Sequence, residues 1–140
     1  MSDLSAFLNP AYREKRVEFE VSDRFVNEDG TIAKIIMRAL SQEEIQAISR
    51  RSTHEVNVGG TKIDRLDEDE FLNRCLIASM VFPDLTNREL CLSCKTEDPV
   101  YVPPRLFLAD EYKKIGNAFA SLVGLDDYKE LSAFGEITKN

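Results

Sequence analysis

Histidine is nearly missing: His54 is the only one in 140 residues. Catalytic pairs in which histidine activates a nucleophile have that residue alone to draw on. It sits in a polar turn region, where a solvated surface role is expected. Cysteine is scarce too. Cys75, Cys91 and Cys94 are an odd number with no disulfide-like framework, which fits a reducing cytoplasm. Long apolar runs are also missing. "CLIASMVF", from Cys75 to Phe82, is far too short to span a bilayer. The first residues carry Asp3 and no positive region, so no secretory leader is expected. Finally, there is no basic block. With 18 Lys and Arg against 25 Asp and Glu, the net charge is −7. Such a chain repels phosphate backbones, which argues against nucleic acid as a partner. Arg50-Arg51, taken with Lys34 and Arg38, is a modest basic spot that a helix C-terminus explains.

What is present is enough for one globular domain. Hydrophobic residues make up 43% and charged residues 31%, and 140 residues can bury a single core. "RVEFEVS" alternates strictly, with Val17, Phe19 and Val21 on one side and Glu18 and Glu20 on the other, the period of a half-buried strand. Asp29-Gly30 predicts a hairpin turn, because glycine accepts the positive φ it needs, and "TIAKIIMRAL" is the returning strand. Ser41 with Glu44 forms a capping box that opens a short helix with Leu40, Ile45 and Ile48 on one side. Val56, Val58, Gly59-Gly60 and Ile63 predict a second, smaller hairpin or an exposed flap.

The strongest predicted helix starts at Asp67 and ends at Pro83, with Phe71, Leu72, Cys75, Leu76, Ser79 and Met80 as one stripe. Thr86 and Glu89 start another helical turn. "KTEDPVYVPP" is expected to be a loop, since its prolines do not suit a helix interior. Tyr112, Ile115, Phe119 and Leu122 place a late helix that stops at Gly124. The fold class expected is α+β: an N-terminal β-hairpin, with that second short hairpin, packed against several α-helices. Residues 1–15 and 125–140 are expected to be mobile tails around a single domain at 16–124.

No stretch predicts a reaction. Cys91-Leu92-Ser93-Cys94 has the spacing of a zinc or thiol redox site, but a second ligand pair is missing and the motif follows a helical turn instead of opening one. "DRLDEDE" lacks the central glycine and distant glutamate of a calcium loop, and a helix N-terminus explains its acids. Gly59-Gly60 has neither the lysine nor the strand-to-helix setting of a phosphate loop. With 25 acids in the chain, any carboxylate pair is weak evidence for acid–base work. No metal, cofactor or catalytic residue is expected.

One echo stands out. Leu-Ser-Ala-Phe occurs at Leu4–Phe7 and again at Leu131–Phe134. Leucine and phenylalanine three residues apart share one side of a helical turn. Such a turn either staples back onto its own core or inserts into a groove on a neighbouring chain. Leu4, Phe7, Leu8, Leu131 and Phe134 are therefore the candidate partner contacts, for another protein or for self-association.

The order of features resembles a known family. A "MSDLSAFLNP" opening, the "VEFEVSDRF" strand, a turn, a second strand and "LSQEEIQAI" are followed by "DEDEFLNRCLIASMVFPDLTNRELCLS" and "LADEYKKIGNAFASLVG". Over Leu4 to about Gly124 this is similar to the phage tail assembly chaperones of tailed phages and defective prophages in Gram-positive bacteria, the XkdN-like group. The resemblance implies a non-enzymatic protein of the bacterial host cytoplasm. It would hold the tape measure protein until tail tube subunits assemble, and be absent from the finished virion. Many such relatives are extended by a programmed frameshift near the C-terminus. A structural subunit of the particle, such as a head–tail connector or tail component, is the second reading. A thiol or zinc module at Cys91 and Cys94 is a distant third.

Overall fold

The alternating "RVEF" segment forms β1 (Arg16–Phe19), which runs antiparallel to β2 (Ile35–Arg38), pairing Val17 with Met37 and Phe19 with Ile35. A computed structural model describes residues 3–10 and 15–138 of the chain. Part of the expected N-terminal tail, residues 11–14 with Met1 and Ser2, lies outside the described residues, as do Lys139 and Asn140. Between β1 and β2 the chain narrows to a Val26–Ile32 bridge. Its tip holds Gly30 at a φ of 88°, a conformation that costs glycine little. The expected hairpin is therefore present, with shorter paired segments than the alternation alone predicts.

The helix α2 (Gln42–Arg51) starts at Ser41, whose side chain accepts from the Glu44 amide while Glu44 accepts from the Ser41 amide. Glu44 also takes both guanidinium nitrogens of Arg38, at 2.8 and 3.2 Å, which ties the helix start to β2. A separate antiparallel pair follows, β3 (Thr53–Val58) and β4 (Thr61–Leu66), turning at Gly59 and Gly60, both with positive φ. The second hairpin of the sequence reading is thus a regular one.

Asp67 caps α3 (Glu68–Ser79), accepting from the Glu70 amide at 3.0 Å. Here the chain departs from expectation. The predicted helix does not run on to Pro83: from Met80 the backbone extends into β5 (Met80–Phe82), which pairs with β2 and completes a three-stranded sheet in the order β1-β2-β5. Val81 and Phe82 are strand-favouring residues next to a proline, and the open edge of β2 supplies ladder partners that a helix could not. The Ser79 hydroxyl donates to the Arg38 carbonyl at 2.6 Å at this junction.

Next come α4 (Arg88–Ser93), capped by Asn87, a 3-10 turn at Pro99–Tyr101, and α5 (Val102–Leu106). The expected loop at "VPP" is corrected to a short helix. Pro103 and Pro104 lie in its first turn, where amides have no helical partner and a missing N–H costs little. Then α6 (Ala109–Leu122) stops before Gly124, whose φ is 84°. A second 3-10 turn, Tyr128–Glu130, leads into α7 (Leu131–Thr138).

The core lies where α3 and α6 cross the sheet. Met37, Phe71, Cys75, Leu76, Ile115 and Phe119 are all fully or almost fully buried there. Within the segment expected as a C-terminal tail, α7 packs on α2, α3 and β4. Among the described residues no helix is long and apolar enough to cross a membrane.

Candidate protein-interaction surface

The two Leu-Ser-Ala-Phe segments adopt the same local structure and opposite surroundings. At the N-terminus, the Asp3 carboxylate accepts from the Ser5 amide and hydroxyl, at 3.0 and 2.6 Å, and starts the single turn α1 (Ser5–Leu8). Those hydrogen bonds, the hydroxyl first, hold the Asp3 carboxyl below its usual range. The turn presents Leu4, Phe7 and Leu8, which are 68%, 80% and 68% exposed. None of them touches the core. Three large apolar side chains on one unpaired turn form an apolar hook.

At the C-terminus, Leu131 is 1% exposed and Phe134 is half-buried against the core. The reason lies one residue further on, where the echo breaks. The N-terminal copy continues with Leu8 and the C-terminal copy with Gly135. A Cβ at Gly135 would come within 2.9 Å of Leu66 Cδ2 and Phe71 Cε2, so a bare backbone is needed for so close an approach. The buried Ser49 hydroxyl donates to the Gly135 carbonyl in the same seam. Leu131 and Phe134 thus act as an internal staple, while Leu4, Phe7 and Leu8 are the members of the expected contact set that stand exposed.

A third feature had no single-segment signal in the sequence. Residues from the hairpin connection, β5 and the α5–α6 junction enclose an apolar pocket of about 390 Å³. Phe25, Val26, Phe82, Leu90, Leu106 and Phe107 form its walls. Phe25 and Phe107 meet edge to face, with ring centres 5.7 Å apart. A second depression, lined by Val81, shares Phe82, Pro83 and Leu90 with the pocket, so the two form one groove along the outer edge of β5. Val26 and Phe82 are both more than half exposed.

The pocket wall is braced from behind. Arg24 donates from Nε to Glu111 at 2.9 Å and from Nη2 to the Leu106 carbonyl at 2.9 Å, with its guanidinium 4.8 Å from the Phe25 ring centre. Glu111 is 2% exposed and also accepts from the Ser22 hydroxyl and the Leu108 amide. The Arg24 hydrogen bonds, helped by those from Ser22 and Leu108, pull its carboxyl down to about 2 against the cost of burial. Lys34 is a second exposed cation of the pocket beside Arg24, and it makes no ion pair or side-chain hydrogen bond among the described residues.

The groups that suggested chemistry do not converge. Cys91 is buried on α4, its thiol 3.5 Å from the Leu85 carbonyl, while Cys94 is the half-buried C-cap of the same helix. Cys75 lies under the sheet, where burial pushes its thiol far above the usual range. His54 is half-exposed and pairs with Glu70 at 2.9 Å, as Arg74 does at 3.0 Å. Among the described residues no group of three or more His, Cys, Asp or Glu side chains could hold a metal ion.

Comparison with known proteins places this surface in context. The profile described as phage XkdN-like tail assembly chaperone protein matches residues 4–136. The uncharacterized protein YqbN of Bacillus subtilis (strain 168) is 33% identical, covering 99% of this chain and 93% of its own. The phage-like element PBSX protein XkdN of the same strain is 30% identical, covering 99% and 94%. The crystal structure of YqbN superposes with a TM-score of 0.75 at 29% identity, over 90% of this chain and 99% of that one. A match from the apolar hook to the docked α7 establishes that this chain belongs to the phage XkdN-like tail assembly chaperone family.

Proposed function

We propose that this chain is a non-enzymatic chaperone that binds the phage tape measure protein in the host cytoplasm and keeps it soluble until tail tube subunits assemble around it. The observation that carries this reading is the family match over residues 4–136. The surface supports it. An acidic chain of net charge −7 leaves Leu4, Phe7 and Leu8 open at one place and the groove beside Phe82 open at another. A long helical client has apolar stripes that would fit such a groove, and a basic client would be drawn to the acidic surface. The tail tube protein is a natural second partner, since the client must pass to it.

Co-expression with the tape measure protein of the same gene cluster tests this. The client is expected to be soluble only with this chain present, and Phe82→Glu is expected to reduce the recovered complex severalfold. If the client stays insoluble while this chain builds rings and is found in purified particles, the structural-subunit reading replaces the chaperone.

The thiols make a smaller prediction. Cys94→Ser is expected to change unfolding free energy by less than about 1 kcal/mol, because the side chain packs only half-buried at the edge of the core and its sulfur makes one weak hydrogen bond. Urea titration of the variant checks it, and a loss well above that would assign Cys94 a structural role.

A further inference from the structure

We propose that a small pocket between α2, α3 and the Pro99–Tyr101 turn captures the free C-terminus of a partner polypeptide that ends in an apolar residue. The pocket holds about 240 Å³ and shares no residue with the groove beside β5. Ile48 and Ile77, both half-buried, and Val100 give it an apolar lining. Two cations border it. Arg51, in the last turn of α2, is exposed and makes no ion pair or side-chain hydrogen bond among the described residues. Arg74, on α3, has a side chain only 21% exposed. Its Nε donates to Glu70 at 3.0 Å, while Nη1 and Nη2 have no partner among the described residues. A guanidinium held at its base, with its outer nitrogens open, is set to take a carboxylate through parallel hydrogen bonds. Asp98 supplies the third part. Its Oδ1 accepts from the Val100 amide at 3.0 Å, and its Oδ2 has no partner among the described residues.

A chain end offers what these groups lack. Its carboxylate meets Arg74 and Arg51, its last side chain rests on Ile48, Ile77 and Val100, and its last N–H donates to Asp98. Fixed donors that capture a terminal carboxylate are a recurring mode of peptide recognition. In a chain of net charge −7 the surface as a whole repels a carboxylate, so a pair of guanidinium groups on one pocket is what admits it. The volume agrees. It lies below the roughly 300–1,000 Å³ of sites for larger ligands and suits a single residue. A helix laid across the mouth would leave the pocket unfilled, and a bare inorganic anion would leave its apolar lining wet. This site does not depend on the tape measure protein being the client, and its test uses the purified chain alone.

The experiment labels the isoleucine methyl groups of the full chain and titrates it by NMR with N-acetyl-leucine, which carries the carboxylate, the apolar side chain and the N–H. Saturable shifts at the Ile48 and Ile77 methyls, with a Kd in the millimolar range, are the expected result for so small a ligand. N-acetyl-leucinamide, which lacks only the charge, should bind about tenfold more weakly or worse. Arg51→Gln should weaken the acid about fivefold and leave the amide unchanged, and since Arg51 is exposed that variant keeps its fold. A final pair of peptides separates the two sources of a carboxylate: one ends in a free leucine, the other is amidated and carries an internal Glu-Leu. The free end should bind more tightly. Equal binding of acid and amide, shifts confined to other isoleucines, no saturable shift, no effect of Arg51→Gln, or equal binding of the two peptides would each overturn the proposal.

Discussion

Gly135→Leu is expected to lower the unfolding free energy by about 2–4 kcal/mol, through overpacking and the loss of apolar burial under α7. The added Cβ alone meets Leu66 and Phe71 at 2.9 Å, and Phe71 is a core ring that cannot swing away. Either the ring and Leu66 are pushed off their packing, or α7 lifts and uncovers Leu131. Lifting would also break the Ser49 hydroxyl's bond to Gly135 and leave that buried serine unsatisfied. The substitution makes the C-terminal segment read Leu-Ser-Ala-Phe-Leu, the same five residues as the hook. If the shared four residues alone decided docking, nothing would change. Urea unfolding of the variant separates the cases: a loss below about 1 kcal/mol would mean that α7 is not seated through this glycine. Gly135→Ala should give a smaller loss, since it brings only the Cβ against Leu66 and Phe71 and none of the further atoms of a leucine.

That fifth residue also shows where reading a sequence stops. Local signals were legible because their physics is local: the Ser41–Glu44 box, the Asp67 cap, the Asp29-Gly30 turn and the period-two alternation of β1 each involve neighbours in the chain. The passage from α3 to β5 was not legible. "CLIASMVF" is apolar throughout, and such a run does not reveal where a helix yields to a strand until the free edge of β2 is known. The proline segment misled for a related reason: prolines bar a helix interior but are tolerated in a first turn, and only the packing of Val102 and Pro103 fixes that register. The pocket was the least accessible feature. Its walls come from five separated stretches, around residues 25, 34, 82, 90 and 107, and none has a pattern that differs from ordinary core. The hook was legible because it is one turn, and the fate of its twin was not, because it depends on Leu66 and Phe71.

The brace behind the pocket leads to an expected pH dependence. Glu111→Gln is expected to cost about 2–3 kcal/mol near neutral pH, and that cost should shrink toward nothing as the pH approaches about 2. The sign follows from the direction of the shift. In the folded chain, the Arg24 hydrogen bonds first, then those from Ser22 and Leu108, hold the Glu111 carboxyl at about 2, below its ordinary 4.5. A carboxyl depressed on folding adds stability at pH values above its unfolded value. That contribution declines as the unfolded chain takes up its proton, and is gone once the folded group protonates as well. The window therefore runs from about pH 5 down to about pH 2. Glu44, also held at about 2 mainly by Arg38, titrates in the same window, but it is more open to solvent and contributes less. Arg24 is itself partly exposed, which keeps the Glu111 effect toward the lower end of the range for a buried pair. Denaturant titrations of both proteins near pH 7 and near pH 2.5 read this directly. An equal gap at the two values would mean that Glu111 acts through shape alone, and a closing gap would assign it to the charge. Because Arg24 ties Glu111 to the Leu106 carbonyl and covers the Phe25 ring, the same variant should slacken the pocket wall. Reduced recovery of the client complex in Glu111→Gln at a pH where the chain is still folded would then show that the brace shapes the pocket as well as stabilising the fold.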